Sequence, residues 1–343
     1  MTELSPRWLG WDQSFCPAYK ILKAQMFALA SKLFPHPLDA WRSASSRTRE
    51  QWLLAALLAT PAIIMLSIFV FYPALQTIGL SFYKWDGISP DMGGFVGFKT
   101  FARATDNYPF SQAIKNSLLW GVVGLLVPTI IGLVAAALVE DTNLRPKPLF
   151  RFAFFVPYFF SMAVAAALFT RVYDPSYGMI NQVIHALGFT DVKPQWLGDG
   201  KIAIYAAMGV FVWHETAFCY IVFTAAIQQI DRSLYDAAKV DGASEIQVFR
   251  YITIPSVRDV ATFVMTIMLI VGLTPFAVVF PLTTPGLGGP YYSTEILPTL
   301  IFKKARMGYN ASEAAALGVI LLLLVIGIVS AFLWFRERTA PKD

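Results

Sequence analysis

The sequence has few of the residues that catalytic centres and disulfide frameworks require. It contains two cysteines and three histidines in 343 residues, and Cys16 and Cys219 lie in very different contexts. Neither a disulfide framework nor a metal site is indicated. Charged residues are also scarce, at 14% against about 25% in soluble domains, while 56% of the residues are apolar. High hydrophobicity with low charge excludes a disordered chain and an ordinary soluble one. The composition predicts an integral membrane protein.

Six apolar stretches are long enough to cross a bilayer, which takes about 20 residues. Glu215 is the only formal charge well inside any of them. Because helices satisfy their own backbone hydrogen bonds in lipid, we predict an all-α integral membrane protein with six transmembrane helices. The spans are predicted at 52–72, 117–139, 152–171, 202–228, 260–282 and 314–335. Prolines that can kink them stand at positions 61, 128, 157, 275 and 281.

The distribution of lysine and arginine predicts that both termini are cytoplasmic. Seventeen of the 27 basic residues fall in 1–51, near 140–151, in 229–259 and in 336–343, and ten fall in the other three loops. The predicted organisation is a cytoplasmic extension, a six-helix domain over 52–335 that contains the loop 229–259, and a cytoplasmic tail. Membrane topology therefore explains the net charge of +5, and no nucleic-acid partner is expected.

The N-terminal extension contains one helical pattern. Residues 18–34 place apolar side chains at helical spacing with lysines nearby. This pattern indicates a helix that lies on the inner membrane surface, and a helix that packs against the rest of the protein explains it equally well.

The loop 229–259 predicts a helix–turn–helix outside the membrane. Short helices are expected around 233–240 and 244–251, joined at Gly242, which can adopt the left-handed conformation. Ser244 is expected to cap the second helix, and Pro255 to end it. Such a projection suits a cytosolic partner, although a surface hairpin without a partner has the same pattern.

The same loop resembles the EAA loop of permease subunits in bacterial binding-protein-dependent ABC importers. The family pattern is Glu-Ala-Ala, three residues, Gly, nine residues, Ile, one residue, Leu-Pro. This chain keeps every spacing, with Asp in place of Glu and Ile254 in place of Leu. By this resemblance, the residues that couple the loop to an ATPase are Asp236, Ala237, Ala238, Gly242, Ile252 and Pro255. We call residues 229–259 the EAA-like loop.

The resemblance continues over residues 52–335 and narrows to carbohydrate importers of the maltose type. The matching stretches are FYPALQTIGLSFYKWDG, FVGFKTF and FRFAFFVPYFFSMAVAAALFTRVYDPSYGMIN. It implies the ABC type I importer permease fold in the bacterial cytoplasmic membrane. The implied partners are a second homologous permease, two ATPase subunits, an extracytoplasmic solute-binding protein, and a sugar, oligosaccharide or polyol. The chain has no GxxxxGK[ST] phosphate loop. ATP and Mg are therefore expected in the ATPase subunits, with no cofactor and no enzymatic activity in this chain.

His214 and Glu215 are the only ionisable pair deep in a span, and such groups usually face a water-filled cavity or a partner. The resemblance places residues 211–218 on the sugar path, where Phe218 is expected to stack on a sugar ring. In the fifth span, Gly272, Thr274 and Pro275 occupy the comparable lining region. A structural hydrogen bond from His214 or Glu215 to a neighbouring helix is the alternative.

Three other functions remain open from the sequence. A related permease for glycerol phosphate would favour basic residues along the path, and only Arg171, at one end of a span, comes close. A stand-alone membrane enzyme would use His214 and Glu215 as an acid–base pair. A proton-driven carrier would work through Glu215 without an ATPase.

Overall fold

The computed structural model describes residues 46–91, 93–141, 146–283 and 288–339. The predicted surface helix at 18–34 and the last four residues of the tail lie outside these ranges. The chain divides into two compact units at Pro73, and the described part of the first unit is helical throughout.

Helices dominate the described residues, which otherwise contain turns, loops and one isolated antiparallel bridge between Tyr83 and Phe95. The helices are α1 Ser46–Leu66, α2 Tyr72–Leu80, α3 Lys99–Thr105, α4 Tyr108–Asp141, α5 Lys147–Phe155, α6 Met162–Val172, α7 Met179–Ala186, α8 Ala203–Ile227, α9 Arg232–Val240, α10 Glu245–Val248, α11 Ile254–Ser256, α12 Arg258–Leu273, α13 Phe276–Thr283, α14 Leu297–Arg306 and α15 Ala311–Thr339. One π turn, Ser67–Phe71, joins α1 to α2, and another, Phe249–Thr253, joins α10 to α11.

The all-helical membrane fold is confirmed: the described residues include five apolar helices long enough to span a bilayer and one bent pair. These helices run Glu50–Leu80, Tyr108–Glu140, Ala203–Ile227, Arg258–Thr283 and Ala311–Thr339. All but Ala203–Ile227, which lies within the predicted 202–228, extend past the predicted apolar runs, because their ends carry polar residues that the hydropathy pattern leaves out.

The third predicted span, 152–171, is not one helix. A short 3-10 turn, Val156–Phe159, follows α5, and the chain then bends by 99° into α6. Pro157 lies in that turn, Phe160 is extended (φ −88°, ψ 140°), and Ser161 caps α6 by accepting a hydrogen bond from the Val164 amide. The proline removes one backbone donor that a continuous span would use, and the Ser161 cap satisfies an amide at the start of α6.

Of the other four prolines in the spans, three lie in helices that continue past them and one coincides with a break. Pro61, Pro128 and Pro281 lie inside helices that continue through them. At Pro275 the fifth span breaks between α12 and α13, because Thr274 leaves helical geometry (φ −128°, ψ 47°). Two of the five prolines therefore coincide with breaks, which sequence alone does not single out.

Helix α4 lies at the centre of the second unit and packs against both α8 and α12. Trp120 and Phe211 meet edge to face with ring centroids 5.3 Å apart. A β-carbon at Gly132 would stand 2.4 Å from that of Cys219, and one at Gly124 would stand 2.9 Å from the α-carbon of Gly272. Glycine therefore allows the three helices to approach at backbone distance, as small residues do in membrane bundles.

One end of α4 anchors the segment between the last two spans. The Asn116 side-chain amide donates to the backbone carbonyls of Ser293 (2.9 Å) and Glu295 (2.8 Å). Glu295 is fully buried and pairs with Lys303. Burial raises the pKa of this carboxyl, while Lys303 and Thr299 oppose the shift. These contacts fix α14 at the end of the bundle opposite the EAA-like loop.

Candidate functional site

The first arm of the EAA-like loop is α9, which carries Asp236, Ala237 and Ala238. Asp231 caps this helix by accepting a hydrogen bond from the Ser233 amide at 2.9 Å. That bond stabilises the ionised carboxylate and lowers the pKa of Asp231. The cap thus sets where the arm begins.

Gly242 ends α9 in a Schellman motif. Its amide donates to the Lys239 carbonyl (3.1 Å), and the next amide, of Ala243, donates to the Ala238 carbonyl (2.9 Å). The glycine has φ +76°, and a β-carbon built on it would meet no atom within 4 Å. The position requires glycine for its backbone conformation rather than for space, which confirms the left-handed turn that the sequence predicts.

The second arm begins at Ser244, as predicted. Ser244 and Gln247 form a capping box, with the Ser244 amide donating to Gln247 Oε1 at 2.8 Å. The expectation that Pro255 ends this arm is wrong. Helical backbone continues through the π turn Phe249–Thr253 and past Pro255 to Ser256, and it ends at Val257.

Only Val257 separates the second arm from the fifth span. It has φ −95° and ψ 10°, and α12 begins at the next residue. A hydrogen bond of 3.1 Å between the hydroxyls of Tyr235 and Thr253 ties the first arm to the second. The two arms are therefore joined to each other and, through one residue, to a span.

The tip of the loop exposes large apolar side chains. Val240 is 88% exposed, Ile246 79% and Tyr251 70%, and Asp236 is exposed beside them. Exposed apolar groups clustered on a polar loop mark a surface that another protein covers. The geometry favours docking over a hairpin without a partner.

The second feature is a cavity of about 380 Å³ at the break in the third span. Its volume is at the small end of the range for ligand pockets. Side chains come from the break, from α8 and from α12. They are Tyr158, Phe160, Ser161, Met162, His214, Glu215, Phe218, Ile267, Met268 and Val271.

His214 and Glu215 form a buried polar pair on one wall of this cavity. His214 Nδ1 lies 3.0 Å from Glu215 Oε1, and His214 Nε2 lies 3.0 Å from the Phe160 carbonyl oxygen. A carbonyl only accepts, so Nε2 donates, and Nδ1 and the carboxyl share one further proton. The pair is therefore neutral overall, whichever atom holds that proton.

Aromatic rings surround the pair. Tyr158 lies 5.6 Å from the His214 ring and 6.0 Å from the Phe218 ring, centroid to centroid. None of the described residues that line the cavity is lysine or arginine. The cavity combines aromatic faces with a polar pair of zero net charge, which suits hydroxylated, uncharged ligands.

The structure brings His214, Glu215 and Phe218 together, but Gly272, Thr274 and Pro275 do not line the same cavity. Gly272 is buried against Gly124 and the Trp120 carbonyl. Thr274 is exposed, and its hydroxyl donates to the Ile270 carbonyl at 2.9 Å. Pro275 is buried at the start of the following turn. A role for Gly272, Thr274 and Pro275 in the path stays a prediction.

The model of the family described as binding-protein-dependent transport system inner membrane component matches residues 129–341. The chain belongs to this family. Its EAA-like loop and its spans 3 to 6 lie inside the matched region, and the permease resemblance found in the sequence is confirmed.

This permease is similar to curated proteins over most of its length. It is 32% identical to the lactose transport system permease protein LacF of Rhizobium radiobacter, over 84% of this chain and 94% of that protein. It is 30% identical to the sn-glycerol-3-phosphate transport system permease protein UgpA of Pectobacterium atrosepticum, over 84% of this chain and 96% of that protein.

The permease fold is also found in a solved structure. A chain from the crystal structure of a bacterial ABC transporter that imports the acidic polysaccharide alginate superposes with a TM-score of 0.72 and 25% identity. The alignment covers 85% of this permease and 97% of that chain. The protein is thus a multi-pass transport subunit with an ABC importer permease fold.

Sequence reasoning missed seven of the ten residues that line the cavity. Tyr158, Phe160 and Ser161 enter the site only because the third span breaks there. The signal was Pro157 followed by Ser161, a residue that favours helix starts, inside a run otherwise apolar. The α12 residues Met268 and Val271 carried no distinguishing signal.

Proposed function

We propose that this permease forms, with a second homologous permease, the path by which an ABC importer moves a neutral sugar, oligosaccharide or polyol. In this proposal both termini and the EAA-like loop face the cytoplasm of a bacterial cell. Two ATPase subunits, which hold ATP and Mg, receive the loop, and an extracytoplasmic binding protein delivers the solute. Asp236, Ala237, Ala238, Gly242, Ile252 and Pro255 belong to the docking element.

The observation that carries the choice of substrate is the charge of the cavity. The His214–Glu215 pair is neutral, aromatic rings flank it, and no lysine or arginine lines the wall. The Glu215 carboxyl can exchange hydrogen bonds with neutral hydroxyls, whereas both ring nitrogens of His214 are already bonded. A phosphate would bring negative charge to a wall of zero net charge without lysine or arginine, so glycerol phosphate, which UgpA transports by its name, is the less favoured candidate.

Gentle purification from native membranes, with mass spectrometry of what accompanies the chain, tests the assembly. We expect a second permease and an ATPase subunit. ATP hydrolysis by that complex, reconstituted with its binding protein, is then expected to rise with a neutral sugar and not with glycerol phosphate. Recovery of this chain alone, under conditions that retain known complexes, would favour a proton-driven carrier or an enzyme that uses Glu215.

Replacing Glu215 with glutamine tests the substrate path. The change keeps the shape of the side chain but removes the carboxyl that shares a proton with His214. Hydrogen bonds to charged groups contribute about 1.5–3 kcal/mol, so we expect transport to slow roughly tenfold or more while the amount of assembled complex stays unchanged.

The matched control is Glu50→Gln, which removes an exposed carboxyl at the start of the first span and should transport at the wild-type rate. Loss of assembled Glu215→Gln complex, with normal transport per remaining complex, would instead assign the pair a structural role.

A further inference from the structure

The break in the third span leaves the carbonyl of Phe160 without its helical donor. In a continuous helix the Val164 amide would donate to this carbonyl, one turn back. Here that amide donates instead to the Ser161 hydroxyl at 3.4 Å, as the cap of α6. An unbonded carbonyl at membrane depth is costly, because lipid offers no donor. The break therefore requires a donor from another part of the chain.

His214 supplies that donor from the middle of α8. Its Nε2 atom lies 3.0 Å from the Phe160 oxygen, and its Nδ1 atom lies 3.0 Å from Glu215 Oε1. The ring is buried between these two partners, with His214 6% and Glu215 8% exposed. Because both ring nitrogens are engaged, the ring offers a solute neither a free donor nor a free acceptor.

The hydrogen bonds made within the break are longer than the one from His214. The Phe160 amide donates to the Pro157 carbonyl at 3.4 Å, and the cap bond at Ser161 has the same length. Both distances exceed the usual range of about 2.7–3.2 Å, whereas the bond from His214 lies inside that range. Helix α8 packs along α4, the central helix of this unit. His214 therefore ties the break to a well-supported helix.

The same bond determines where one wall of the cavity stands. Phe160 lines the cavity together with Tyr158 before it and Ser161 after it. The Tyr158 ring lies 5.6 Å from the His214 ring, centroid to centroid. Because one short stretch of backbone carries all three side chains, a shift of the Phe160 carbonyl changes the shape of the cavity.

We propose that His214 is a positioning residue, which holds the third-span break in the conformation that binds the solute and forms no hydrogen bond with the solute itself. The proposal rests on the proposed function, which assigns the transported solute to this cavity. Glu215 remains the member of the pair that meets a hydroxyl, since its carboxyl has a second oxygen. The two residues thus have separate roles, although they are bonded to each other.

Two substitutions separate the two bonds of the His214 ring. The side-chain amide nitrogen of asparagine stands about as far from its β-carbon as Nδ1 of histidine, and that of glutamine about as far as Nε2. Both amides carry donors. His214→Asn therefore keeps a partner for Glu215 but loses the bond to Phe160, whereas His214→Gln keeps a donor for Phe160. Both side chains are polar, so we expect both variants to assemble.

The first measurement is hydrogen–deuterium exchange of the assembled complex in lipid discs. Loss of one hydrogen bond changes an equilibrium constant roughly two- to tenfold. We expect the amides of Phe160 and Val164 to exchange faster by that factor in His214→Asn, and at nearly the wild-type rate in His214→Gln. Equal protection in wild type and His214→Asn would overturn the proposal. Equal loss in the two variants would also overturn it, because the donor to Phe160 would then be irrelevant.

The second measurement is ATP hydrolysis by the same complexes as binding protein loaded with a neutral sugar is titrated. If fewer molecules hold the binding conformation, the apparent affinity falls by that fraction. We expect His214→Asn to need roughly two- to tenfold more loaded protein for half-maximal stimulation, with the maximal rate kept. A lower maximal rate at an unchanged half-maximal concentration would overturn the positioning role. Wild type that responds to no neutral sugar or polyol would contradict the proposed function instead, and the exchange rates would then decide the role of His214 alone.

The matched control is His185→Asn. His185 also places Nε2 near a backbone carbonyl, that of Val192 at 3.3 Å, but it lies on α7 and does not line the cavity. This variant should leave exchange at the break and the half-maximal concentration unchanged. Glu215→Gln separates the two roles from the other side. Its amide can still donate to Nδ1, so the break should stay protected while transport slows.

Discussion

Replacing Gly242 with valine should abolish the stimulation of ATP hydrolysis by substrate in the assembled transporter, while the protein still inserts in the membrane. The glycine has φ +76°, where a β-branched residue is a genuine outlier. An L side chain in the left-handed region costs about 1–2 kcal/mol, and more for valine, so the turn is expected to open. The second arm would then no longer hold Ile246 and Tyr251 in their orientation relative to α9. The measurement is ATPase activity with and without loaded binding protein.

Gly242→Asn is the matched control. Asparagine is larger than glycine but tolerates the left-handed conformation, and open space surrounds the position. It should retain most of the stimulation. Equal loss in both variants would show that side-chain size at the docking surface, not backbone conformation, is what matters, and would contradict the account of the turn.

Gly132→Ala should destabilise the helix bundle strongly. The new β-carbon would stand 2.4 Å from the β-carbon of Cys219 and 2.9 Å from the Tyr220 amide nitrogen, so backbone must move. Overpacking of this kind typically costs about 1–3 kcal/mol, which for a chain of this size lowers Tm by roughly 1–4 °C. Thermal unfolding of the purified complex in detergent measures the shift.

The control for this variant is Gly327→Ala in α15, where a β-carbon meets nothing within 4 Å. It makes the same chemical change in another membrane helix and should leave Tm unchanged or slightly higher, because alanine favours helix. Similar losses in the two variants would mean that helix flexibility, rather than the contact between α4 and α8, accounts for the effect.

The sequence was sufficient for the features that depend on local chemistry. Apolar length located the spans, and the turn at Gly242 and the cap at Ser244 follow from the conformational preferences of single residues. His214 and Glu215 were found because ionisable groups are rare inside a span. Each of these signals is contained in a short stretch of chain.

What the sequence could not supply depends on contacts between distant segments. Pro157 and Pro128 look alike in an apolar run, yet only the first coincides with a sharp bend, since Phe160 there is extended and its carbonyl is bonded by His214 on another helix. Gly272 was likewise placed in the lining of the path by the sequence, but it packs against Gly124 of α4. Contacts between residues 50 to 150 positions apart in the sequence determine both the bend at Pro157 and the packing of Gly272.

The nearly unbroken helix from Glu245 to Ser256 gives a geometric reason for fixed spacing in this loop. A helix carries rotation along with displacement, at about 100° per residue. One residue inserted between Ile246 and Val257 would turn the exposed tip about a quarter of the way round the axis without changing its composition. The nine residues between Gly242 and Ile252 thus fix the direction in which the exposed side chains point around the helix axis. The loop is therefore constrained by the number of its residues as much as by their identity.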